Sequence, residues 1–372
     1  MKKKLISIII FLFVLVFPVV AWPLLVHLDN TNINENRKPA PFPEFSNEFV
    51  SDFDKFLTDH APLRNSLIKM YSGFESWTNK IYEDMLNAIG IPYYSSKNNA
   101  LFGKEDWLFY LGDKSLDYYQ GKNIPSEQEL AIFVEKAEKI NNYFISKGKQ
   151  FKIFIAPNKE QVYSEFLPNG IYVFNQQKRI DVIVDYFKAH SNVEIIYPKQ
   201  ELLDAKEMGQ IYYKYDTHWN SAGGYFGTLP LLQALNIEIG EVKLEESSRM
   251  GGDLLNMIAV EPKEDVEFKV DYRPEISFQI NFENDTYRCT SDNPNGKNLF
   301  LIGDSFREKM INTLGKEFTN SAFGTRLSYT NTNFYEEEFE QADTVVFQCV
   351  ERYEQHMFTS ELFDKFITQY SL

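Results

Sequence analysis

From residue 5 to residue 26 the chain is apolar without a break, LISIIIFLFVLVFPVVAWPLLV, and Lys2, Lys3 and Lys4 precede it. A run of 22 uncharged residues is long enough to cross the hydrocarbon of a bilayer as a helix, and its basic flank sends the rest of the chain outside the cytoplasm. The alternative is a signal peptide cleaved at Val19-Val20-Ala21. The apolar stretch continues past that point through Trp22 to Val26, which favours an uncleaved anchor. Either reading exports the protein. Residues 29–48 are polar and proline-bearing and read as a linker. Phe49, Phe53, Phe56, Leu57, Leu63, Leu67 and Met70 then recur at helical spacing, interrupted at Ala61-Pro62. The pattern divides the chain into an anchor or signal over 1–28, a linker and helical stem over 29–95, and a folded domain over 96–372.

Within that domain, short apolar runs alternate with amphipathic ones. Strands are expected at Phe151–Ala156, Val193–Tyr197, Asn298–Ile302 and Thr344–Val350. Helices are expected at 174–189, at 221–236 opened by Ser221, and at 306–314. This alternation predicts an α/β fold, a parallel sheet flanked by helices. Residues 245–296 fit the alternation poorly and read as an insertion or an edge hairpin.

Composition narrows the function. Hydrophobic residues make up 44% and charged residues 24% of the 372, so the chain is neither disordered nor a multi-span membrane protein. Lys and Arg number 38 against 53 Asp and Glu, a net charge of −15, which disfavours general nucleic-acid binding. Two cysteines exclude a disulfide-dense scaffold and a Cys-rich zinc module. In an exported protein Cys289 and Cys349 could form a bridge. Cys349 sits in an apolar run and reads equally as a buried thiol. No dinucleotide-binding or phosphate-cradling glycine loop is present, so no cofactor is expected.

Two segments carry chemistry. Leu301-Ile302-Gly303-Asp304-Ser305-Phe306 is a strand running through glycine into a helix start. It sets the Ser305 hydroxyl at the carboxyl edge of a parallel sheet, beside unpaired helix N–H groups suited to an oxyanion. A serine needs a base. Of the five histidines, His218 in Tyr215-Asp216-Thr217-His218-Trp219-Asn220 has an acid two residues away and a polar, glycine-bearing loop after it. In an extended or turning loop, residues i and i+2 point the same way, so Asp216 can orient the His218 ring toward a serine supplied by the fold. The bland alternatives stay open: Asp304-Ser305 as a helix cap, and Asp-x-His as half a metal site. No second histidine lies at ligand spacing from His218, so no metal is expected.

These blocks, in this order, resemble the SGNH hydrolase-like family of alginate and exopolysaccharide O-acetylation proteins (AlgX and AlgJ) and the related DHHW proteins. Other segments contribute: Gly103-Lys104-Glu105-Asp106-Trp107-Leu108-Phe109-Tyr110, Ile155-Ala156-Pro157-Asn158-Lys159, Gly251-Gly252-Asp253-Leu254 and Glu351-Arg352-Tyr353. Asp106 stands where that family commonly has glycine. The resemblance covers roughly 45–370 and implies an SGNH-like domain over 96–372. It implies Ser305 as nucleophile, His218 as base and Asp216 as orienting acid, with the Ser305 N–H as one oxyanion donor. Asn158, Arg326 and Tyr353 are candidates for a second donor or for substrate contact. Trp219 could stack on a sugar, although packing behind His218 suits it better. Lys159 and Arg352 are expected to pair with buried acids.

The implied function is an extracytoplasmic, membrane-tethered O-acetyltransferase. It would move acetyl groups to an exopolysaccharide or wall glycan through an acetyl-serine, with a multi-span membrane O-acyltransferase delivering the acetyl group. An acetylesterase would use the same intermediate with water as acceptor. A non-catalytic anchored glycan-binding or assembly factor is the reading from another class, and it would be favoured by an altered triad.

Overall fold

The computed structural model describes residues 96–326, 335–359 and 362–372, with isolated positions between 40 and 85. The apolar run at 5–26 lies outside them, as does most of 49–90. Among the described residues no helix is long and apolar enough to cross a membrane.

Among the described residues, twelve strands form three sheets. A small antiparallel sheet holds β1 (Ser96–Lys97), β2 (Ala100–Phe102) and β3 (Leu108–Tyr110). The turn between β2 and β3 puts Glu105 at φ 53° and Asp106 at φ 64°. That is the left-handed region glycine favours, and it accounts for glycine suiting this position.

The central sheet contains β4 (Gln150–Ala156), β5 (Ile195–Ile196), β8 (Phe278–Glu283), β9 (Thr286–Ser291), β10 (Asn298–Gly303), β11 (Asn320–Thr325) and β12 (Thr344–Val350). Their order is β5-β4-β12-β10-β11-β9-β8. The first five are parallel, and β9 and β8 extend the sheet antiparallel beyond β11. A separate ten-residue ladder pairs β6 (Val242–Gly251) with β7 (Lys263–Tyr272). Residues 245–296 therefore supply one free-standing hairpin and one hairpin on the sheet edge.

The parallel strands are buried on both faces, as a sheet covered by helices requires. On β4, Phe154 and Ala156 join one core while Phe151, Ile153 and Ile155 join the other; on β10, Leu299 and Leu301 alternate in the same way with Phe300 and Ile302. The Ser221–Ala234 and Ile311–Glu317 helices cover the first face. The Glu127–Ser146, Arg179–His190 and Phe363–Tyr370 helices cover the second.

Several boundaries differ from the sequence reading. The helix expected from 174 begins at Arg179, because Asp181 caps the backbone N–H of Lys178 at 3.0 Å. Asn220 caps the Ser221–Ala234 helix, its Oδ1 accepting from the Gly223 N–H at 3.0 Å. The segment after Gly303 is a 3₁₀ turn over Ser305–Met310 followed by an α-helix over Ile311–Glu317. Cys289 and Cys349 are both free and buried. They lie on β9 and β12, three strand positions apart, so roughly 14 Å separates their backbones and no bridge can form.

Candidate active site

The order β4-β12-β10 brings three carboxyl ends side by side: Pro157-Asn158 after β4, Glu351-Arg352-Tyr353 after β12 and Asp304-Ser305 after β10. Open α/β sheets bind ligands at this edge. Asp304 sets the turn there. Its Oδ1 accepts from the Phe306 N–H at 3.0 Å and from Gln348 Nε2 at 3.0 Å, and its Oδ2 accepts from the Val350 N–H at 2.6 Å. With those bonds Asp304 is the cap, and Ser305 begins the turn with an exposed side chain.

Gly303 is required by a close approach rather than by a left-handed turn: a Cβ there would meet Gln348 Oε1 at 2.0 Å. Gly303→Ala should therefore cost about 1–3 kcal/mol of stability through overpacking. Denaturant unfolding of the variant checks this, and a midpoint unchanged from wild type would contradict it.

The Asp-x-His loop is closed on itself. The Asn220 N–H donates to the Ile211 carbonyl at 3.0 Å and the Tyr213 N–H to the His218 carbonyl at 3.1 Å, with a bridge between Tyr212 and Trp219. Asp216 and His218 consequently share a side. Asp216 Oδ1 lies 2.6 Å from His218 Nδ1 and accepts the His218 backbone N–H at 3.1 Å. The carboxylate holds the ring proton on Nδ1, which leaves Nε2 as an acceptor, and Nε2 lies 2.6 Å from Ser305 Oγ. Trp219 locks the two segments together. It is fully buried, packs edge-on against Phe306 and donates its Nε1 proton to the Phe306 carbonyl at 3.1 Å. That placement removes Trp219 as a sugar platform. The helix after His218 runs so close to the serine turn that a Cβ on Gly224 would meet the Lys309 carbonyl oxygen at 2.6 Å.

Two residues of this cluster carried no role in the sequence reading. Arg249, from β6, is paired with Asp216 Oδ2, and its guanidinium lies 3.6 Å from the Tyr213 ring centroid. Asp253 accepts from the Thr217 N–H at 2.8 Å and the Thr217 hydroxyl at 2.6 Å, and its Oδ2 is 3.7 Å from His218 Nδ1. Gly251-Gly252-Asp253 was visible as a motif, but only the β6–β7 hairpin returns it to residue 217. The same hairpin supplies Asp265, which accepts the Tyr215 N–H at 2.9 Å. Lys159 supports the loop from below, donating to the carbonyls of Tyr213, Lys214 and Asp216 at 3.1, 3.3 and 2.8 Å. It bonds carbonyls rather than a buried acid, and burial pushes its amine down to about 8 against the pull of Glu160, Asp253, Asp216 and Asp265.

Electrostatics follow from this packing. Burial works to raise the Asp216 carboxyl, but the hydrogen bond and charge of His218 and the Arg249 guanidinium outweigh it and hold the group well below the usual carboxylate range. Burial works to lower His218, and the carboxylates of Asp216 and Asp253 outweigh that, so its pKa lies above the ordinary 6.5. Ligand atoms of Asp216, His218 and Asp253 lie within 4.8 Å of one another, a spacing a metal ion could use. Here Asp216 Oδ2 is already neutralised by Arg249. A second cation would face a permanent positive charge across that carboxylate.

The other expected residues are distributed along the same edge. The Asn158 N–H donates to Glu351 Oε2 at 3.0 Å, and its Oδ1 accepts from Arg352 Nη1 at 3.1 Å. Asn158 Nδ2 and Arg352 Nε are buried with no partner among the described residues. Arg352 is therefore bound to an amide oxygen, not to the buried acid expected. Arg326 stacks its guanidinium 4.4 Å from the Tyr353 ring centroid, and both line a cavity of about 400 Å³ that includes Ser305.

The family model for the SGNH hydrolase-like domain of the acetyltransferase AlgX matches residues 100–320. No curated protein matches the chain. Among solved structures, a DHHW family protein from Eubacterium siraeum superposes with a TM-score of 0.53 at 14% identity, over 74% of this chain and 97% of its own. Bacillus cereus PatB1 with a sulfonyl adduct gives 0.52 at 13% identity, over 73% and 99%. The O-acetyltransferase domain of Pseudomonas putida AlgJ gives 0.47 at 17% identity, over 73% and 96%. At these identities the likeness to the DHHW family protein and to PatB1 establishes the fold alone.

Proposed function

Since the chain belongs to the SGNH hydrolase-like acetyltransferase family of AlgX, we propose that it is an extracytoplasmic O-acetyltransferase acting on an exopolysaccharide or cell-wall glycan through an acetyl-Ser305 intermediate. The observation that carries the mechanism is the continuous path Asp216 Oδ1–His218 Nδ1, His218 Nε2–Ser305 Oγ, each step 2.6 Å. In the first half-reaction Ser305 Oγ attacks the acetyl carbonyl of the donor while His218 takes the hydroxyl proton. The donor's leaving group then departs with that proton. In the second, a sugar hydroxyl gives its proton to His218 and attacks the acetyl-serine, and Ser305 Oγ leaves with the proton. Asp216 stabilises the imidazolium formed in each half-reaction.

The oxyanion needs donors already in place. Ser305 is the first residue of its turn, where an N–H has no partner within the turn. Asn158 Nδ2 and Arg352 Nε, both unsatisfied within the described residues, support a second donor from the neighbouring strand ends.

Tethering by the 5–26 run and acetyl delivery by a multi-span membrane O-acyltransferase complete the proposal, supported by the sequence pattern and the family resemblance. The esterase reading uses the same first half-reaction and differs only in the acceptor. The test combines hydrolysis of a chromogenic acetyl ester by wild type, Ser305→Ala and His218→Ala with mass analysis of added oligosaccharides. Ser305-dependent acetate release with mass gain on an oligosaccharide supports a transferase. Acetate release from an acetylated glycan, with no mass gain on any acceptor, would make the protein an esterase.

A pH dependence follows. The base must be neutral, so kcat/KM should rise with pH on an acid limb whose midpoint lies above 6.5, because the carboxylates of Asp216 and Asp253 hold the proton on His218. A profile flat from about pH 5 to 8 would contradict His218 as base.

A further inference from the structure

The cavity beside Ser305 has a wall that the proposed chemistry does not use. Three aromatic rings line it: Phe282 and Tyr287 from the β8–β9 hairpin, and Tyr353 from the end of β12. Phe282 is 56% exposed although it sits on a strand of the central sheet, and its ring lies 4.5 Å from the Tyr287 centroid at a 39° tilt. An exposed phenylalanine packed on a half-buried tyrosine at the mouth of a polar cavity calls for an occupant with an apolar face.

The charges on the same wall limit what that occupant can be. Arg307 and Arg326 stand against Asp285, Asp304 and Glu308. Arg307 is turned to the Asp304 carbonyl at 2.9 Å, and Arg326 is stacked on Tyr353. With Asp304 committed to the serine turn, the wall balances two guanidinium groups against the carboxylates of Asp285 and Glu308, on a chain whose net charge is −15. Such a wall offers a polyanion no net positive charge, and the negative chain as a whole disfavours its approach. A neutral pyranose fits: the C–H face of its ring packs on an aromatic ring, and its hydroxyls bond mixed donors and acceptors.

We infer that Phe282 and Tyr287 form the acceptor subsite of this enzyme, and that the acceptor is a neutral pyranose glycan rather than a polyuronate. The inference rests on the acetyltransferase reading above. A sugar seated on Phe282 would present a hydroxyl to the acetyl group on Ser305, within the same cavity of about 400 Å³.

The test uses the full-length chain with 4-nitrophenyl acetate as donor. Cellotetraose and chitotetraose serve as neutral acceptors and tetragalacturonate as the charged one, each followed by mass spectrometry. Expected is acetylation of a neutral tetrasaccharide at a rate at least about tenfold above the uronate. Phe282→Ala should raise KM for that acceptor about fivefold to tenfold. Phe282→Trp should restore it. Because Phe282 is exposed, the substitution leaves the core intact. Preferential acetylation of the uronate, acetylation of none of the three, or an unchanged KM in Phe282→Ala would overturn the subsite. Loss of Ser305-dependent ester hydrolysis in wild type would instead overturn the acetyltransferase reading itself, so the two failures are distinguishable.

Discussion

Ser305→Ala should lower the rate of acetyl release from an activated ester by at least about a thousandfold, to a residue left by the oxyanion donors and binding alone. The hydroxyl lost is the atom 2.6 Å from His218 Nε2. Its side chain is exposed, and the cap that holds the turn belongs to Asp304, not to the serine. Stability should therefore stay within about 0.5 kcal/mol of wild type. Initial rates and a denaturant midpoint on the same preparation separate the two effects. A variant that unfolds early would indicate a structural serine, and one that keeps its rate would remove Ser305 from the reaction.

Asp216→Asn is expected to lower kcat by about a thousandfold while nearly preserving volume. The amide cannot stabilise the imidazolium, and its NH₂ group would face either His218 Nδ1 or Arg249, both of which need an acceptor. The pH profile carries the more telling signature. Asp216 is foremost among the groups that raise His218, so its neutralisation should move the acid limb to lower pH. Asp253, at 3.7 Å from Nδ1, should retain part of the upward shift, and adding Asp253→Asn should move the limb further down. A purely structural Asp216 would lower activity without moving the limb, so the midpoint of kcat/KM against pH decides between the roles.

Much of this site was legible in the sequence because its parts are local. The i and i+2 spacing of Asp216 and His218 needs only a closed loop, and the Ile211–Asn220 hydrogen bond supplies it. Likewise, the two-sided burial of FKIFIA, NLFLI and TVVFQCV is written in continuous apolar runs. What the sequence hid depends on distant pairing. β11 reads Asn-Ser-Ala-Phe-Gly-Thr, a composition of turns, and it becomes a strand by pairing parallel with β10 and antiparallel with β9. The Arg249–Asp216 contact joins residues 33 apart across a hairpin whose strands are largely polar. Asp304 resembled a simple helix cap. Its second oxygen binds the Val350 N–H, which ties the serine turn to the end of β12.

The supporting frame also explains why so many charged groups sit near one serine without neutralising the site. Arg249 is committed to Asp216, Lys159 to three carbonyls and Asp304 to backbone N–H groups. The His218 Nε2 face is left directed at Ser305.

The central claim is a covalent acetyl-serine. Its most direct test is to mix the protein with 4-nitrophenyl acetate, quench in acid within the first turnover, and map the peptides by mass spectrometry. The account predicts one added acetyl group on the peptide bearing Ser305, absent in Ser305→Ala and strongly reduced in His218→Ala. Acetate release at the wild-type rate with no acetyl group on Ser305 at any quench time, or with the acetyl group on another residue, would contradict it.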